Sequence, residues 1–282
     1  MAGAVVALLP DGRLHLQEGP IDLVIGLEGT RAAIAEAAVR ASTRFDGLLA
    51  GLVAELPLLR QPVGLDRPEL QGAVARRMAA AVWPFRAGFI TPMAAVAGSV
   101  AEEVLAALAG IRGLTAAHVN NGGDLAVFLA PGATLRVGVV QRLALAMPEA
   151  LIRLHAGDGV QGIATSGWPG RSFSRGIADA VTVLAGSASQ ADAAATVIAN
   201  AVDVAHPSIR RVPAQQLDPD SDLGDLPVTV AVGPLPEDAA AAALDAGEAR
   251  AEALLSAGLI QGAALVVGDM VRVVGGRPGY WL

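Results

Sequence analysis

Three stretches of the chain gather side chains that could do chemistry. In Asn120–Asn121–Gly122–Gly123–Asp124, the two glycines strip the backbone bare, so a ligand could lie against it beside Asn121 with Asp124 as an acceptor. Set between two apolar runs, the same stretch is also a tight-hairpin signature, because Asn and Gly tolerate positive φ. Thr165–Ser166–Gly167, continuing through Arg171–Ser172–Phe173–Ser174–Arg175–Gly176, supplies hydroxyls, guanidinium groups and glycine-exposed amides. These donors suit an oxyanion or phosphate, which arginine grips through two parallel bonds and free amides cradle. Their concentration in an apolar chain favours anion binding over a merely solvated loop. In Ala191–Asp192–Ala193–Ala194–Ala195–Thr196, Asp192 and Thr196 share one face of a helix. The alanines around them leave room for a ligand or a hard cation, which takes oxygen donors. Ser189 and Asp192 also fit the S-x-x-D capping pattern, with the carboxylate stabilising the first turn. On spacing alone the cap is favoured.

The missing residue types narrow the chemistry. All 20 basic residues are arginine. The absence of lysine excludes Schiff-base formation, a lysine base and a Walker-type phosphate loop. The absence of cysteine excludes disulfides, thiolate nucleophiles and cysteine-held metals. His15, His118, His155 and His206 are scattered, with no H-x-x-x-H pair and no acidic neighbour, so a histidine metal site is not expected.

A formal net charge of -7 argues against a nucleic-acid or anionic-membrane partner. Hydrophobic residues make up 53% of the chain and charged ones 17%, where about a quarter charged is usual. A membrane reading fails on run length. The charge-free run between Arg86 and Glu102 contains Pro92 and falls short of the about 20 apolar residues a spanning helix needs. Met1–Pro10 has no basic start of the kind a signal peptide carries, so the cytoplasm is the expected location. The apolar excess belongs in a core, or in an interface between copies, and a homo-oligomer is therefore expected.

The elements that must position the three stretches can be read from periodicity. Val5–Leu9, Leu14–Gln17 and Ile21–Ile25 read as a β-meander. From Thr30 the period becomes helical, with Ala33, Ala37, Ala41 and Phe45 recurring on one face. Pro57–Pro68 reads as a loop, Glu69–Ala81 as a helix closed by Trp83–Pro84, and Met93–Ala109 as a helix stopped by Gly110 and Gly113. Strands follow at Thr115–Val119, Leu125–Leu129, Leu135–Val140, Ala150–His155 and Gly159–Ala164. After the loop Ser166–Gly176 come a strand at Ala178–Leu184 and a helix at Ala191–Ala201. Asp203–Leu226, rich in proline and aspartate, reads as an exposed excursion. The chain closes with a strand at Val228–Val232, a helix at Glu237–Ala257 and a hairpin of Ile260–Val267 with Met270–Val274.

One internal echo spans 103–124 and 248–269. Glu103, Ala106, Gly113, Leu114, Gly123 and Asp124 recur in order, at one offset, as Glu248, Ala251, Gly258, Leu259, Gly268 and Asp269. Each half runs helix, glycine stop, strand, Gly–Asp turn, strand. This predicts an α+β fold in a single domain, 1–282, with two intertwined helix-on-antiparallel-sheet repeats.

Taken together, the asparagine–glycine–glycine–aspartate turn, the threonine–serine–glycine turn, the strand Ala180–Val181–Thr182–Val183 and the A-D-A-x-A-T helix resemble the ApbE family over about residues 88–202. Those proteins are flavin transferases that move FMN from FAD onto a threonine of a target protein, using magnesium. The resemblance implies a tandem T-fold-like arrangement. It implies Asp192 and Thr196 as side-chain magnesium ligands with Ala195 offering its carbonyl, and Asn121, Gly122, Gly123 and Asp124 bordering a nucleotide site. Flavin transferases also carry a histidine–aspartate–proline segment, where this chain runs Arg175–Gly176–Ile177–Ala178–Asp179. They place a lysine–glycine pair where it has Ala97–Gly98. The pattern is therefore closer to a short sister branch with no established activity.

The functional expectation is a protein that binds a phosphorylated small molecule or nucleotide, flavin- or pterin-like, with Mg. It would act as a transferase or hydrolase of altered reaction. Thr165, Ser166, Gly167, Arg171, Ser172 and Ser174 are the phosphate-side candidates. The alternatives are a non-catalytic oligomeric scaffold and retained FMN transfer from FAD.

Overall fold

The computed structural model describes residues 4–139, 150–277 and 280–281. Strands β1 (Val5–Leu8), β2 (Leu14–Glu18) and β3 (Ile21–Gly29) lead into helices α1 (Arg31–Phe45), α2 (Leu48–Leu59), α3 (Ala73–Val82) and α4 (Val96–Ala106). Strands β4 (Leu114–Asn121), β5 (Asp124–Leu129), β6 (Thr134–Val139), β7 (Ala150–His155), β8 (Gly162–Ser166) and β9 (Ala180–Ala185) come next. Helix α5 (Ala188–Ala201), strands β10 (Ile209–Pro213) and β11 (Pro227–Val232), helix α6 (Glu237–Ser256) and strands β12 (Gly262–Val267) and β13 (Met270–Gly275) complete the order. Val140, expected to end the sixth strand, lies outside the described residues.

The chain divides into two compact units. The first lies within Met1–Leu135, Leu154–Ile163 and Gly186–Asp192. Here β1 to β5 pair in sequence order, each antiparallel to the next, and the start of β8 adds to β5 through Leu125 opposite Ile163. Helix α1 forms because Thr30 accepts the Ala33 amide at 3.2 Å as its N-cap, a bond worth about 1 kcal/mol. Its buried stripe of Ala33, Ala37, Ala41 and Phe45 follows helical spacing and joins a core with Leu16, Leu23, Met78 and Val104. Helix α4, with small residues through most of its length and the pair Glu102–Glu103, lies on β4 and β5.

The second unit lies within Arg136–Arg153, Ala164–Ala185 and Ala193–Leu282. In it β12 pairs antiparallel with both β9 and β13, α6 covers β12 and β13, and β10 pairs with β11. Each unit thus holds a helix, a glycine stop and an antiparallel hairpin: α4 with β4 and β5 in the first, α6 with β12 and β13 in the second. Among the described residues no helix is long and apolar enough to cross a membrane.

Several local expectations need correction. Pro57 sits inside the last turn of α2 rather than opening a loop. Both Pro57 and Val53, whose carbonyl loses its partner there, are exposed, so water can take that bond. Helix α3 begins at Ala73, four residues later than expected, because Glu55 captures the amides of Gln71 and Gly72. The proline- and aspartate-rich excursion contains strand β10, paired with β11 from Ile209 opposite Val232 to Pro213 opposite Pro227. Helix α5 starts at Ala188, where Ser187 Oγ accepts the Gln190 amide.

Candidate functional site

That last shift moves Asp192 into the second turn of α5, too far along to cap its own helix. It caps a neighbour instead. A Cβ added to Gly98 would lie 2.3 Å from the carbonyl oxygen of Ala188, so the two helices approach backbone to backbone at a point only glycine can occupy. Gly98 lies in the first turn of α4, where amides have no partner within the helix, and its N–H donates to Asp192 Oδ2 at 2.9 Å. Burial pushes the Asp192 carboxyl up to about 7, against the pull of the Gly98 and Ala97 amides. Among the described residues no basic side chain forms an ion pair with it.

Two further contacts frame this carboxylate. Asn121 Nδ2 donates to the Ala97 carbonyl at 3.1 Å, tying the end of β4 to the same turn of α4. Glu102 Oε2 accepts both the hydroxyl and the amide of Ser189, at 2.8 and 3.2 Å, fixing the start of α5. Glu102 is itself held by Arg77 at 3.0 Å. Arg77 also bonds Glu103, which takes Arg44 at 2.6 Å, so one chain of charges connects α1, α3, α4 and the start of α5. Burial raises the Glu103 carboxyl, but its bonds to Arg77 and Arg44 outweigh this and hold it below the usual range. Gly98 enters the sequence analysis only through the Ala97–Gly98 pair, and spacing does not single out Glu102, whose one sequence signal is a Glu–Glu pair in a mostly apolar helix.

The expected turn at 120–124 is a two-residue hairpin. Asn120 and Asn121 belong to β4, Gly122 and Gly123 take φ of 65° and 117°, and Asn120 Oδ1 accepts the Gly123 amide at 2.9 Å. Asn121 and Asp124 oppose each other across the ladder, and both are buried.

In the second unit, Thr165 Oγ1 and Thr182 Oγ1 share a hydrogen bond at 2.9 Å. Ser166 is half-buried at the end of β8. Gly167 is required by packing: a Cβ there would lie 2.4 Å from the Asp179 carbonyl oxygen. Ser174 is buried, donating to Asn200 Oδ1 and accepting from the Gly176 amide. Many loop amides are taken by the protein itself, including those of Trp168, Gly170 and Arg175. Arg171 and Ser172 remain exposed.

Ala195 is fully buried and Thr196 half-buried, one turn beyond Asp192. Among the described residues no three His, Cys, Asp or Glu groups gather as a metal cluster would need. Strand pairing does give one histidine an acidic partner: His15 Nε2 lies 2.9 Å from Asp22 Oδ1. His118 packs across the ladder on Gly26, and burial, then the Arg13 charge, hold its pKa below the usual 6.5.

The family model described as AbpE bacteria matches residues 6–273. The chain belongs to that family. It is also similar to UPF0280 proteins: at 35% identity to one from Methanosphaerula palustris, over 53% of this chain and 61% of that protein, and at 44% identity to one from Methanopyrus kandleri, over 46% and 51%. The match therefore spans half to three fifths of these relatives' lengths. Among solved structures it is similar to the apo form of flavinyl transferase ApbE from Pseudomonas stutzeri, with TM-score 0.47 and 14% identity over 96% of this chain and 93% of that one. A mutant of flavin transferase ApbE from Vibrio cholerae gives TM-score 0.42 and 11% identity, over 97% of each. Within the first unit of this AbpE-family chain, Ala97–Gly98 lies directly against Asp192.

Proposed function

We propose that this protein binds a divalent cation at Asp192 together with a phosphorylated small molecule of nucleotide type. The observation that carries this reading is a half-buried carboxylate whose charge, among the described residues, is met by backbone amides and by no basic side chain. Such a group favours either a proton or a cation, and a hard divalent ion suits its oxygen donors. Asp192 would supply the charged ligand and Thr196, on the same helix, a neutral one. Ala195 has its carbonyl inside the helix, which makes it the weakest member of the expected set. Magnesium bound by so few protein groups keeps positions for water and for ligand phosphate. When bound it would polarise a phosphoryl oxygen. The chain's own part is to hold Asp192 in place through Gly98, Asn121 and the Glu102–Ser189 bond. Within the second unit, Arg171 and Ser172 are the exposed groups for an anion.

Melting temperature tests the reading, because a ligand bound only by the folded state raises it. Magnesium with FAD, FMN, other nucleotides or pterin phosphates should raise it by several degrees in the native chain and not in Asp192→Asn. No shift across the panel, or an equal shift in the variant, overturns the reading.

Self-association is a second reading. Val5, Val6 and Leu8 on β1 are exposed, and that strand pairs only with β2 among the described residues. Light scattering that returns a monomer removes it. FMN transfer from FAD ranks third, since the chain has alanine where the transferases have lysine.

A further inference from the structure

The second unit contains a cleft of about 500 Å³ that takes Trp168 from the Ser166–Gly176 loop but none of the candidate site residues named above. It is bounded by the segment after β8, the stretch between β11 and α6, and the turn joining β12 to β13. Its apolar wall includes Val232, Leu235 and Met270, and its aromatic wall is the half-exposed indole of Trp168. That ring is fixed at its edge. Trp168 Nε1 donates to Asp179 Oδ1 at 3.2 Å, and its backbone amide donates to the Ala178 carbonyl at 3.0 Å. Asp179 is held from the other side by the Gly268 amide, which donates to Oδ2 at 2.7 Å. Gly167, with no room for a Cβ beside the Asp179 carbonyl, lets the two segments close to this distance.

The charge of the cleft has one sign. Asp179, Glu237 and Asp269 line it, and no arginine or histidine is among its described lining residues. Among the described residues Asp179 accepts from neutral donors, the indole and a backbone amide, and forms no ion pair, so its negative charge is not cancelled by them. The N-terminus of α6, which would by itself attract an anion, carries Glu237 and Asp238 in its first turn. An indole fixed beside an uncompensated carboxylate, in a cleft that apolar side chains also line, is the combination that recognises an organic cation.

We propose that this cleft binds a small amine: an ammonium or guanidinium group seated between the Trp168 ring and Asp179, with an apolar stem along Val232 and Met270. The volume admits a metabolite of moderate size. The site lies wholly in the second unit and makes no use of Asp192.

Isothermal titration of the full chain with agmatine, cadaverine and choline, and with pentanol as an uncharged control, tests it. At least one amine should bind saturably and pentanol should not. Asp179→Asn should weaken binding about tenfold. Trp168→Leu should weaken it comparably, while Trp168→Phe keeps a ring face and much of the affinity. Glu237→Gln, at an exposed position, should weaken it several-fold. Asp192→Asn should leave it unchanged, which separates this site from the cation site. No saturable binding by any of the three amines, equal binding of pentanol, or an unchanged affinity in Glu237→Gln and Asp179→Asn would overturn the proposal.

Discussion

The amide of Gly98 and the carboxylate of Asp192 meet at 2.9 Å across a helix crossing, so the free first turn of α4 is capped from another helix. This bond holds a carboxyl whose burial favours its neutral form.

Asp192→Asn should therefore stabilise the protein at neutral and alkaline pH. With the folded value raised to about 7 from the ordinary 3.8, the native state binds a proton that the unfolded state has lost. Stability is thus lost as pH rises between those values and stays level above them. The advantage of the variant in chemical denaturation should grow from about pH 4 to 7 and then stay constant, at a few kcal/mol. A variant less stable than the native chain at pH 8 would refute this assignment.

Two glycines should respond in opposite directions to alanine. At Gly98 the new methyl meets the Ala188 carbonyl, and the variant should lose about 2–4 kcal/mol. Gly51, inside α2, has nothing within 4 Å of an added Cβ, and Gly51→Ala should gain about 0.5–1 kcal/mol through helix propensity. Denaturant midpoints measured side by side decide both.

Glu103→Gln removes the carboxylate shared by Arg44 and Arg77 and should cost about 2 kcal/mol at pH 7. Its folded pKa is depressed, so its contribution is complete above the ordinary value of 4.5 and is lost as pH falls through the folded one. In acid titrations the native and variant curves should converge below that range. A gap that persists at low pH would show that charge is not what Glu103 contributes.

Asn121→Asp should place a carboxylate against the Ala97 carbonyl and destabilise by about 1–2 kcal/mol, whereas Asn120, half-exposed, should tolerate serine. Thermal melts of the two variants make the comparison.

What the sequence makes legible is whatever depends on near neighbours. The stripe Ala33, Ala37, Ala41 and Phe45 and the hairpin at Gly122–Gly123 each depend on residues a few positions apart, and each forms as its spacing predicts. Strand β10 escapes because its partner lies beyond a long run of turn residues, and pairing outweighs that composition. Asp192 is visible as a motif residue, yet the amide that fixes its role is 94 positions away. The same distance problem hides Glu102 behind Ser189 and Arg44 behind Glu103, since only packing brings these helices together.

The charge chain from Arg44 through Glu103 and Arg77 to Glu102 is built on the positive side from guanidinium alone. Guanidinium keeps its proton to above about pH 12, whereas an ammonium group begins to lose its own two units lower. Reagents that acylate side-chain amines find nothing to modify in this chain of charges, so the helices it joins should stay fastened through treatments that loosen lysine-rich proteins.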